Sequence, residues 1–265
     1  IFMKQLVTAA NFAKVAQYAD LFKQGMVCTV LLSALTVFFG FLLGLLLAVM
    51  RLSSVQPFRF FSVTRDGHFR EQGFLFHLSR FNPLSLLATA YVEVFRATPM
   101  LVQLWLVYFL LFDKSVIDLP KTTLFGFIRL ERFIPGVVAL ALNSGAYLAE
   151  IIRAGIQSID GGQSEAARSL GLSKKQTLRS VILPPAIKNT LPAIANEFVT
   201  IIKESSITYT IGVQDIMSAV NDIKGATYVI IEPLIVATVL YFCLTFPTSK
   251  IIAYFERRMS RGDRR

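Results

Sequence analysis

The sequence predicts an all-α membrane protein with five transmembrane helices and one long polar loop. Three observations lead to this fold class: 54% of the 265 residues are hydrophobic, only 17% are charged, and apolar runs alternate with short clusters of Lys and Arg. A soluble domain usually carries about 25% charged residues. The net charge of +10 could indicate nucleic acid binding. Basic clusters between apolar runs fit the positive-inside rule better, so no nucleic acid partner is expected.

The first span is the clearest. From Gln24 to Met50 the chain carries no charge, and this length crosses a bilayer with some tilt. We therefore expect a span at about 24–51. Gly40 and Gly44 lie four residues apart within it, a spacing that lets a second helix approach closely.

Four further spans are predicted at about 84–112, 133–153, 189–212 and 229–252. Charged residues interrupt two of them. In the second, Glu93 and Arg96 stand just before Thr98 and a proline, and this cluster indicates an interrupted helix. The fourth is weak by hydropathy because it contains Glu197, Lys203 and Glu204.

Three segments are expected outside the membrane core. Residues 1–22 are weakly amphipathic and predict a short helix at the membrane surface. Residues 53–81 mix arginine with phenylalanine. Next to a span, this composition favours a cytoplasmic insertion on lipid headgroups over RNA binding. Residues 256–265 form a basic tail, which is expected in the cytoplasm.

The distribution of Lys and Arg predicts the orientation. Of the 27 such residues, 17 lie in segments 51–81, 150–188 and 250–265, against eight on the opposite side, the N-terminal end included. The positive-inside rule therefore puts the N-terminus outside, and the polar loop and the C-terminus in the cytoplasm. Five spans agree with this, because an odd number leaves the two ends on opposite sides.

The polar loop, at 158–184, predicts two short helices at an angle. Asp160 and Ser173 each stand three residues before a glutamine, which is the pattern of a capping box. Gly171 falls where the first helix should stop. Pro184 and Pro185 are expected to end the second helix.

The stretch Glu165–Pro184 reads Glu-Ala-Ala, three residues, Gly, nine residues, Val, one residue and Leu-Pro. This pattern resembles the EAA loop in the membrane subunits of ABC importers, which docks onto the ATPase. Further stretches resemble permeases of the polar amino acid class, which import His, Glu, Gln or Arg: Tyr91–Gln103, Leu142–Arg153 and Asn196–Ser206. Together the resemblance covers roughly 20–52 and 88–258.

The resemblance implies a type I ABC importer permease of the MetI-like fold, with its transmembrane domain at 23–255, in the bacterial inner membrane. Such permeases pair as homodimers or heterodimers, bind two ATPase subunits and receive their substrate from a binding protein outside. The chain has no Gly-x-x-x-x-Gly-Lys-Ser/Thr phosphate loop. We therefore expect a pore subunit, not an enzyme, which holds no cofactor while the ATPase partner binds ATP and Mg. The residues expected to couple the two subunits are Glu165, Ala166, Ala167, Gly171, Leu183 and Pro184.

A path for a polar amino acid is predicted near the interrupted second span. Arg96 could bind the substrate carboxylate bidentately, and Glu93 or Glu204 could bind the ammonium group. Thr98 and Asn143 could add hydrogen bonds. The alternative is that these charges form structural pairs, since Glu93 and Arg96 are three residues apart and could pair along one helix face.

Other functions remain open at this point. The chain could be a permease for another small solute. It has Ala97 where the family usually has Gly and Pro185 where it usually has Gln, so the family does not identify the exact substrate. A secondary transporter would need inverted repeats and usually more spans. A membrane scaffold without transport is a third possibility. No metal site is expected, since Cys28 and Cys243 both lie within apolar runs.

Overall fold

The computed structural model describes residues 7–53 and 81–260, and within these ranges the chain is predominantly helical. The α-helices, in chain order, are α1 (Ala9–Ala16), α2 (Ala19–Leu52), α3 (Pro83–Ala97), α4 (Met100–Leu106), α5 (Leu130–Gln157), α6 (Gly161–Ser169), α7 (Lys174–Thr177), α8 (Leu183–Glu204), α9 (Ile216–Thr227) and α10 (Ile231–Ser260). Most of the predicted insertion at 53–81 lies outside the described residues, as does the second half of the basic tail.

Shorter elements connect some of these helices. One π-helical turn follows α4 (Val107–Leu111), another joins α7 to α8 (Leu178–Ile182), and a 3-10 segment follows α8 (Ser205–Ile211). Strands β1 (Thr123–Leu124) and β2 (Ile128–Arg129) form a small antiparallel hairpin. The loop predicted before α5 therefore contains a hairpin.

Three helices of the described ranges are long and apolar enough to cross a membrane: α2, α5 and α10. They correspond to the predicted first, third and fifth spans. A fourth span results if α3 and α4 are counted together, although the chain bends by 112° between them. The predicted number of five spans thus stays a prediction.

The second predicted span, 84–112, is interrupted where the sequence indicated. Thr98 adopts an extended conformation, with φ −113° and ψ 148°, and α4 begins after Pro99. A residue that precedes proline is driven out of the helical region by the proline ring, and proline has no N–H to donate. The expected interruption at Thr98 is therefore a sharp bend of 112° between α3 and α4, which we call the corner between these helices.

The fourth predicted span, 189–212, has different boundaries in the structure. Helix α8 starts at Leu183 and ends at Glu204, and it is not among the helices of the described chain that pass the length and hydropathy test. Pro184 and Pro185, which were expected to end a helix, instead lie in the first turn of α8. Proline fits there because the first N–H groups of a helix have no intrahelical partner.

Helix α9 is an element that the sequence interpretation left as a polar segment. It buries an apolar stripe formed by Ile216, Ala219, Val220 and Ile223. Asp215 caps its N-terminus, because Oδ1 accepts a hydrogen bond of 2.8 Å from the Ser218 amide. The polar residues between the stripe positions concealed the helical period.

Residues 1–6 of the predicted surface segment 1–22 lie outside the described residues, and the rest of it forms a short helix followed by the start of α2. The short helix is α1, capped by Thr8, and the residues from Ala19 onward already belong to α2. Glu232 of α10 accepts hydrogen bonds from the Thr8 amide (3.0 Å) and from Asn11 Nδ2 (2.9 Å). These bonds tie α1 to the start of the last long helix.

Helices α2 and α5 pack closely at the centre of the molecule, and this close approach was predicted from Gly40 and Gly44. A Cβ atom on Gly44 would lie 2.8 Å from Leu148 Cβ and 3.0 Å from the Ala149 nitrogen. One on Gly40 would lie 3.1 Å from Ser144 Cβ. The predicted role of the two glycines is confirmed. Helix α5 is the most buried long helix, with 67% of its most apolar stretch covered by protein, against 11% for α10.

Candidate functional site

The corner between α3 and α4 is held by the side chain of Gln103. Its Nε2 group donates to the Phe95 carbonyl (2.8 Å), the Thr98 carbonyl (3.0 Å) and Thr98 Oγ1 (2.7 Å). The last carbonyls of a helix have no intrahelical partner. Gln103 supplies donors to them from the first turns of the next helix, and it is only 6% exposed.

Asn143 extends this network from α5. Its Nδ2 group donates to Gln103 Oε1 at 2.8 Å and to the Phe95 carbonyl at 3.3 Å. The structure thus brings two predicted substrate residues, Thr98 and Asn143, into one network through Gln103. Gln103 was not among the predicted site residues. The sequence could have indicated it, because Gln103 is an amide side chain inside an apolar run just after the interruption at Thr98.

Arg96 lies against α5 and not against its predicted partner on α3. Its Nη1 atom is 4.0 Å from Glu150 Oε2, and its guanidinium carbon lies 5.6 Å from the ring centroid of Tyr147. The alternative pairing of Arg96 with Glu93 is not observed, because no ion pair within 4.0 Å joins these two residues in the described structure. Glu93 instead has an exposed side chain. The reason is that Glu150 offers Arg96 a carboxylate on the neighbouring helix.

Glu150 also binds two further arginines. Arg51 Nη1 of α2 lies 2.6 Å from Glu150 Oε2, and Arg153 of α5 forms an ion pair with Glu150 Oε1. We call Arg51, Arg96, Glu150 and Arg153 the Glu150 cluster. It joins three helices through one carboxylate.

Glu197 of α8 approaches the same stretch of α5. The buried hydroxyl of Ser144 donates to Glu197 Oε1 at 2.9 Å. Ser144 and Tyr147 are three residues apart and so are neighbours on one helix face. A cation from α3 and a carboxylate from α8 therefore meet α5 within one turn. Glu197 was noted as a charge in the membrane but was not predicted as a site residue.

Glu204, the predicted alternative for the ammonium group, is the last residue of α8 and is half-buried. It lies seven residues, or about two turns, beyond Glu197. Of the predicted site residues, the structure gathers Arg96, Thr98 and Asn143 near α5. It leaves Glu93 on the surface and Glu204 farther along α8.

The polar loop forms two helices joined by a glycine turn, as the sequence indicated. Gly171 has φ +87°. Its amide donates to the Arg168 carbonyl (3.0 Å), and the Leu172 amide donates to the Ala167 carbonyl (3.2 Å). This is a Schellman motif, which requires a left-handed residue at the position of Gly171. The turn fixes the angle between α6 and α7.

The two caps of this loop differ. Ser173 forms a full capping box with Gln176. Asp160 caps α6 through the Gly162 amide at 2.9 Å, so the predicted box with Gln163 is replaced by a simple N-cap. Between the caps, Ala167 is buried, whereas Glu165, Ala166 and Leu170 are exposed and offer the surface of α6 to a partner. Of the other two predicted coupling residues, Leu183 and Pro184 lie at the start of α8.

Residues 73–261 match the protein family described as Binding-protein-dependent transport system inner membrane component. The match covers well over half of the chain. The chain belongs to this family. It is therefore a multi-pass permease component of the inner membrane, and its transport system includes a binding protein. The predicted resemblance to permeases of ABC importers is confirmed.

Several relatives of this permease are similar over most of its length. The arginine transport system permease protein ArtQ of Bacillus subtilis (strain 168) is 42% identical over 186 residues, which cover 70% of this chain and 80% of ArtQ. The probable glutamine ABC transporter permease protein GlnM of the same organism is 33% identical over 243 residues, covering 92% and 95%. The nopaline transport system permease protein NocM of Agrobacterium fabrum (strain C58 / ATCC 33970) is 39% identical over 182 residues, covering 69% and 75%.

Solved structures agree with the fold of this permease. The crystal structure of an amino acid ABC transporter with histidines is 40% identical, with a TM-score of 0.75 and coverage of 93% of this chain and 98% of that one. The MetNI methionine ABC transporter in an inward-facing conformation is 20% identical, with a TM-score of 0.58 and coverage of 89% and 96%, and shows the fold alone. The predicted fold class, an all-α permease of the MetI-like type, is confirmed.

Proposed function

We propose that this permease carries a polar amino acid into the cytoplasm as one subunit of an ATP-driven importer. The observation that supports this substrate class is the pair of opposite charges, Arg96 and Glu197, which reach one turn of α5 from two other helices. A zwitterion needs partners of both signs. The similar permeases named for arginine, glutamine and nopaline favour the same class.

The carboxylate and the ammonium group of the substrate bind different residues of the permease. Arg96 binds the carboxylate, because a guanidinium can donate two parallel hydrogen bonds to it. Glu197 binds the ammonium group in place of Glu93, which is exposed, and of Glu204, which is two turns away. The corner held by Gln103 fixes the end of α3, and therefore the position from which Arg96 extends.

The remaining parts of the importer lie in other chains. A dimer of ATPase subunits binds ATP and Mg and docks on the loop between Asp160 and Pro184. A second permease, identical or homologous, completes the path, and the binding protein delivers the substrate from outside. The N-terminus lies outside and the C-terminus in the cytoplasm, as the distribution of Lys and Arg supports.

Transport then proceeds by alternating access. Closure of the ATPase dimer moves α6 and α7, and the spans of the two permeases tilt so that the site at Arg96 opens first to one side and then to the other. The permease supplies the path and the lever, and the ATPase supplies the energy.

The test is uptake by proteoliposomes that contain the permease, its ATPase and its binding protein. Arg96→Ala and Glu197→Gln are each expected to reduce uptake at least tenfold, the loss expected when a charge-assisted contact of about 1.5–3 kcal/mol disappears. Glu93→Gln is the control of matched charge, and uptake should stay normal. Normal uptake and normal ATPase stimulation in Arg96→Ala would reject the site. Loss in Glu93→Gln but not in Glu197→Gln would reject the assignment of the ammonium partner.

A further inference from the structure

The Glu150 cluster joins one carboxylate to three guanidinium groups from three helices. Arg51 comes from α2, Arg96 from α3, and Arg153 from α5 itself. A single carboxylate has two oxygens and can accept a bidentate pair from one arginine. Three arginines therefore share an acceptor that can fully satisfy fewer of them.

The three arginines contact Glu150 to different extents. Arg51 lies 2.6 Å from Glu150 and its side chain is 12% exposed, whereas Arg96 lies 4.0 Å away and its side chain is 38% exposed. Arg153 forms a hydrogen-bonded ion pair one helical turn from Glu150. Arg96 is thus the member that is attracted by Glu150 but not hydrogen-bonded to it, and it is the most accessible of the three.

We propose that Glu150 is a positioning residue that competes with the carboxylate of the transported amino acid for Arg96. The proposal rests on the proposed function, in which Arg96 binds that carboxylate. With the site empty, Glu150 holds the Arg96 guanidinium toward α5. When substrate binds, its carboxylate takes Arg96, and Glu150 keeps Arg51 and Arg153.

The place of Glu150 in α5 connects this exchange to the polar loop. Glu150 and Arg153 lie in the last turns of α5, which ends at Gln157, and α6 begins at Gly161. Asn189 of α8 donates to Ser158 Oγ at 3.1 Å, within the short link between α5 and α6. A change in the charges that act on Glu150 therefore arises eleven residues before the helix on which the ATPase is proposed to dock.

Competition predicts opposite effects for two substitutions in one cluster. Glu150→Gln removes the competing carboxylate and should tighten substrate binding. Arg51→Gln leaves Glu150 with one close partner fewer, so Glu150 should hold Arg96 more strongly and substrate binding should weaken. A cluster that only stabilises the fold would move the affinity in the same direction in both variants.

The experiment measures the binding of radiolabelled amino acid to the purified complex of permease and ATPase in lipid nanodiscs. The probe is whichever of arginine and glutamine stimulates the ATPase of the wild-type complex with its binding protein. We expect the Kd to fall about fivefold in Glu150→Gln and to rise about fivefold in Arg51→Gln, at the lower end of measured couplings between sites. Arg258→Gln, which removes an exposed cation outside both the cluster and the polar loop, should leave the Kd unchanged.

A second probe separates competition from a general change in electric field. It is the same amino acid with its carboxylate replaced by a carboxamide, measured by displacement of the labelled acid. If Glu150 competes with the substrate carboxylate for Arg96, Glu150→Gln should not change the Kd of this amide, because the amide has no carboxylate for Arg96 to bind. A field effect would weaken binding of the cationic amide while it tightens binding of the acid.

The results separate a failure of this inference from a failure of the proposed site. The inference is overturned if Glu150→Gln leaves the Kd of the acid unchanged or raises it, or if Arg51→Gln lowers it. If Glu150→Gln fails to assemble with the ATPase, Arg51→Gln decides by its sign. If the wild-type complex binds the acid and the amide equally, the assignment of Arg96 to the carboxylate fails, and with it the proposed site. If the wild-type complex prefers the acid over the amide but Glu150→Gln leaves the Kd of the acid unchanged, competition at Glu150 is rejected and the proposed site is not.

Discussion

At the residue scale, the corner between α3 and α4 depends on the side chain of Gln103. The sequence predicted an interruption at Thr98, because charge and proline meet there. It could not predict which side chain would satisfy the freed carbonyls, since that depends on how the two helices turn back on each other. The same fold brings Asn143, 40 residues later in the chain, within hydrogen-bonding distance of Gln103.

Substitution of Gln103 by Leu should destabilise the permease. The change removes the donor to the Thr98 carbonyl, and it leaves the Phe95 carbonyl and the Asn143 amide only their mutual hydrogen bond of 3.3 Å in a partly buried environment. Each buried polar group without a partner costs roughly 1–3 kcal/mol. We expect the melting temperature in detergent to fall by roughly 2–4 °C for each kcal/mol. Gln163→Leu on the exposed surface of α6 is the control, and an equal fall in both variants would contradict the role of the network.

Asp215 is a second residue with a testable property. It lies between the fourth and fifth predicted spans, is 1% exposed, and uses Oδ1 to cap α9, while Oδ2 has no hydrogen-bond partner in the described structure. Burial raises the pKa of this carboxyl to about 8. The folded state therefore favours the protonated form. Its contribution to stability is fully present below the ordinary pKa of 3.8 and is lost as the pH rises to about 8.

The variant Asp215→Asn should remove this pH dependence, because Asn caps a helix about as well as Asp and carries no proton that titrates here. Near pH 4 the melting temperatures of variant and wild type should differ little. As the pH rises toward 8, the variant should become more stable by several degrees. Thermal unfolding of both proteins in one detergent across this pH range provides the measurement. A constant difference at all pH values would show that the Asp215 carboxyl does not titrate as its burial indicates.

At the scale of elements, the close packing of α2 and α5 was predictable and the ends of α8 were not. The spacing of Gly40 and Gly44 on an apolar helix is a local pattern, and it predicts contact without any knowledge of the partner. The start of α8 depends instead on the π-helical turn before Leu183, which lets the helical path continue into Pro184 and Pro185. The sequence shows the prolines but not this turn, and so a stop was predicted where a helix starts.

Gly44→Val tests the contact between α2 and α5. A Cβ atom at this position would lie 2.8 Å from Leu148 Cβ, so the two helices would have to separate. Overpacking of this kind typically costs roughly 1–3 kcal/mol, and the yield of folded protein and its melting temperature should both fall. Gly225→Ala is the control, since a Cβ there meets nothing within 4 Å. That change should be neutral or stabilising by roughly 0.5–1 kcal/mol. A stable Gly44→Val variant would mean that this packing is not tight.

At the scale of the whole molecule, the sequence predicted the long apolar helices because lipid imposes a simple requirement on length and polarity. α2, α5 and α10 meet that requirement individually. α8 does not, since Glu197, Lys203 and Glu204 interrupt it, and its place in the molecule is set by packing against α5 instead. The bond between Ser144 and Glu197 is the clearest case. The sequence named Arg96 from its motif, but it did not name Glu150, which lies 4.0 Å from Arg96, or Glu197, which contacts α5 at Ser144, as site residues.

The polar loop provides the last prediction, since it concerns how the permease works with a motor in another chain. Gly171→Val places a β-branched residue at φ +87°, a region that such residues rarely adopt. The Schellman turn should open and α6 should lose its angle to α7. Glu165→Arg reverses an exposed charge on α6 without any effect on the turn. Both variants should insert and melt nearly as the wild type does, because the loop lies outside the packed helices.

Uptake in proteoliposomes should nevertheless fall about tenfold or more in both, and the loaded binding protein should no longer stimulate ATP hydrolysis. Gly161→Ala is the matched control, because it lies in the same loop, its Cβ meets nothing within 4 Å and its φ is not positive. Loss of co-purification with the ATPase in Glu165→Arg would locate the defect in docking. Retained co-purification without stimulation in Gly171→Val would locate it in the transmission of movement. Normal uptake by both variants would reject the loop as the point where the energy of ATP enters the permease.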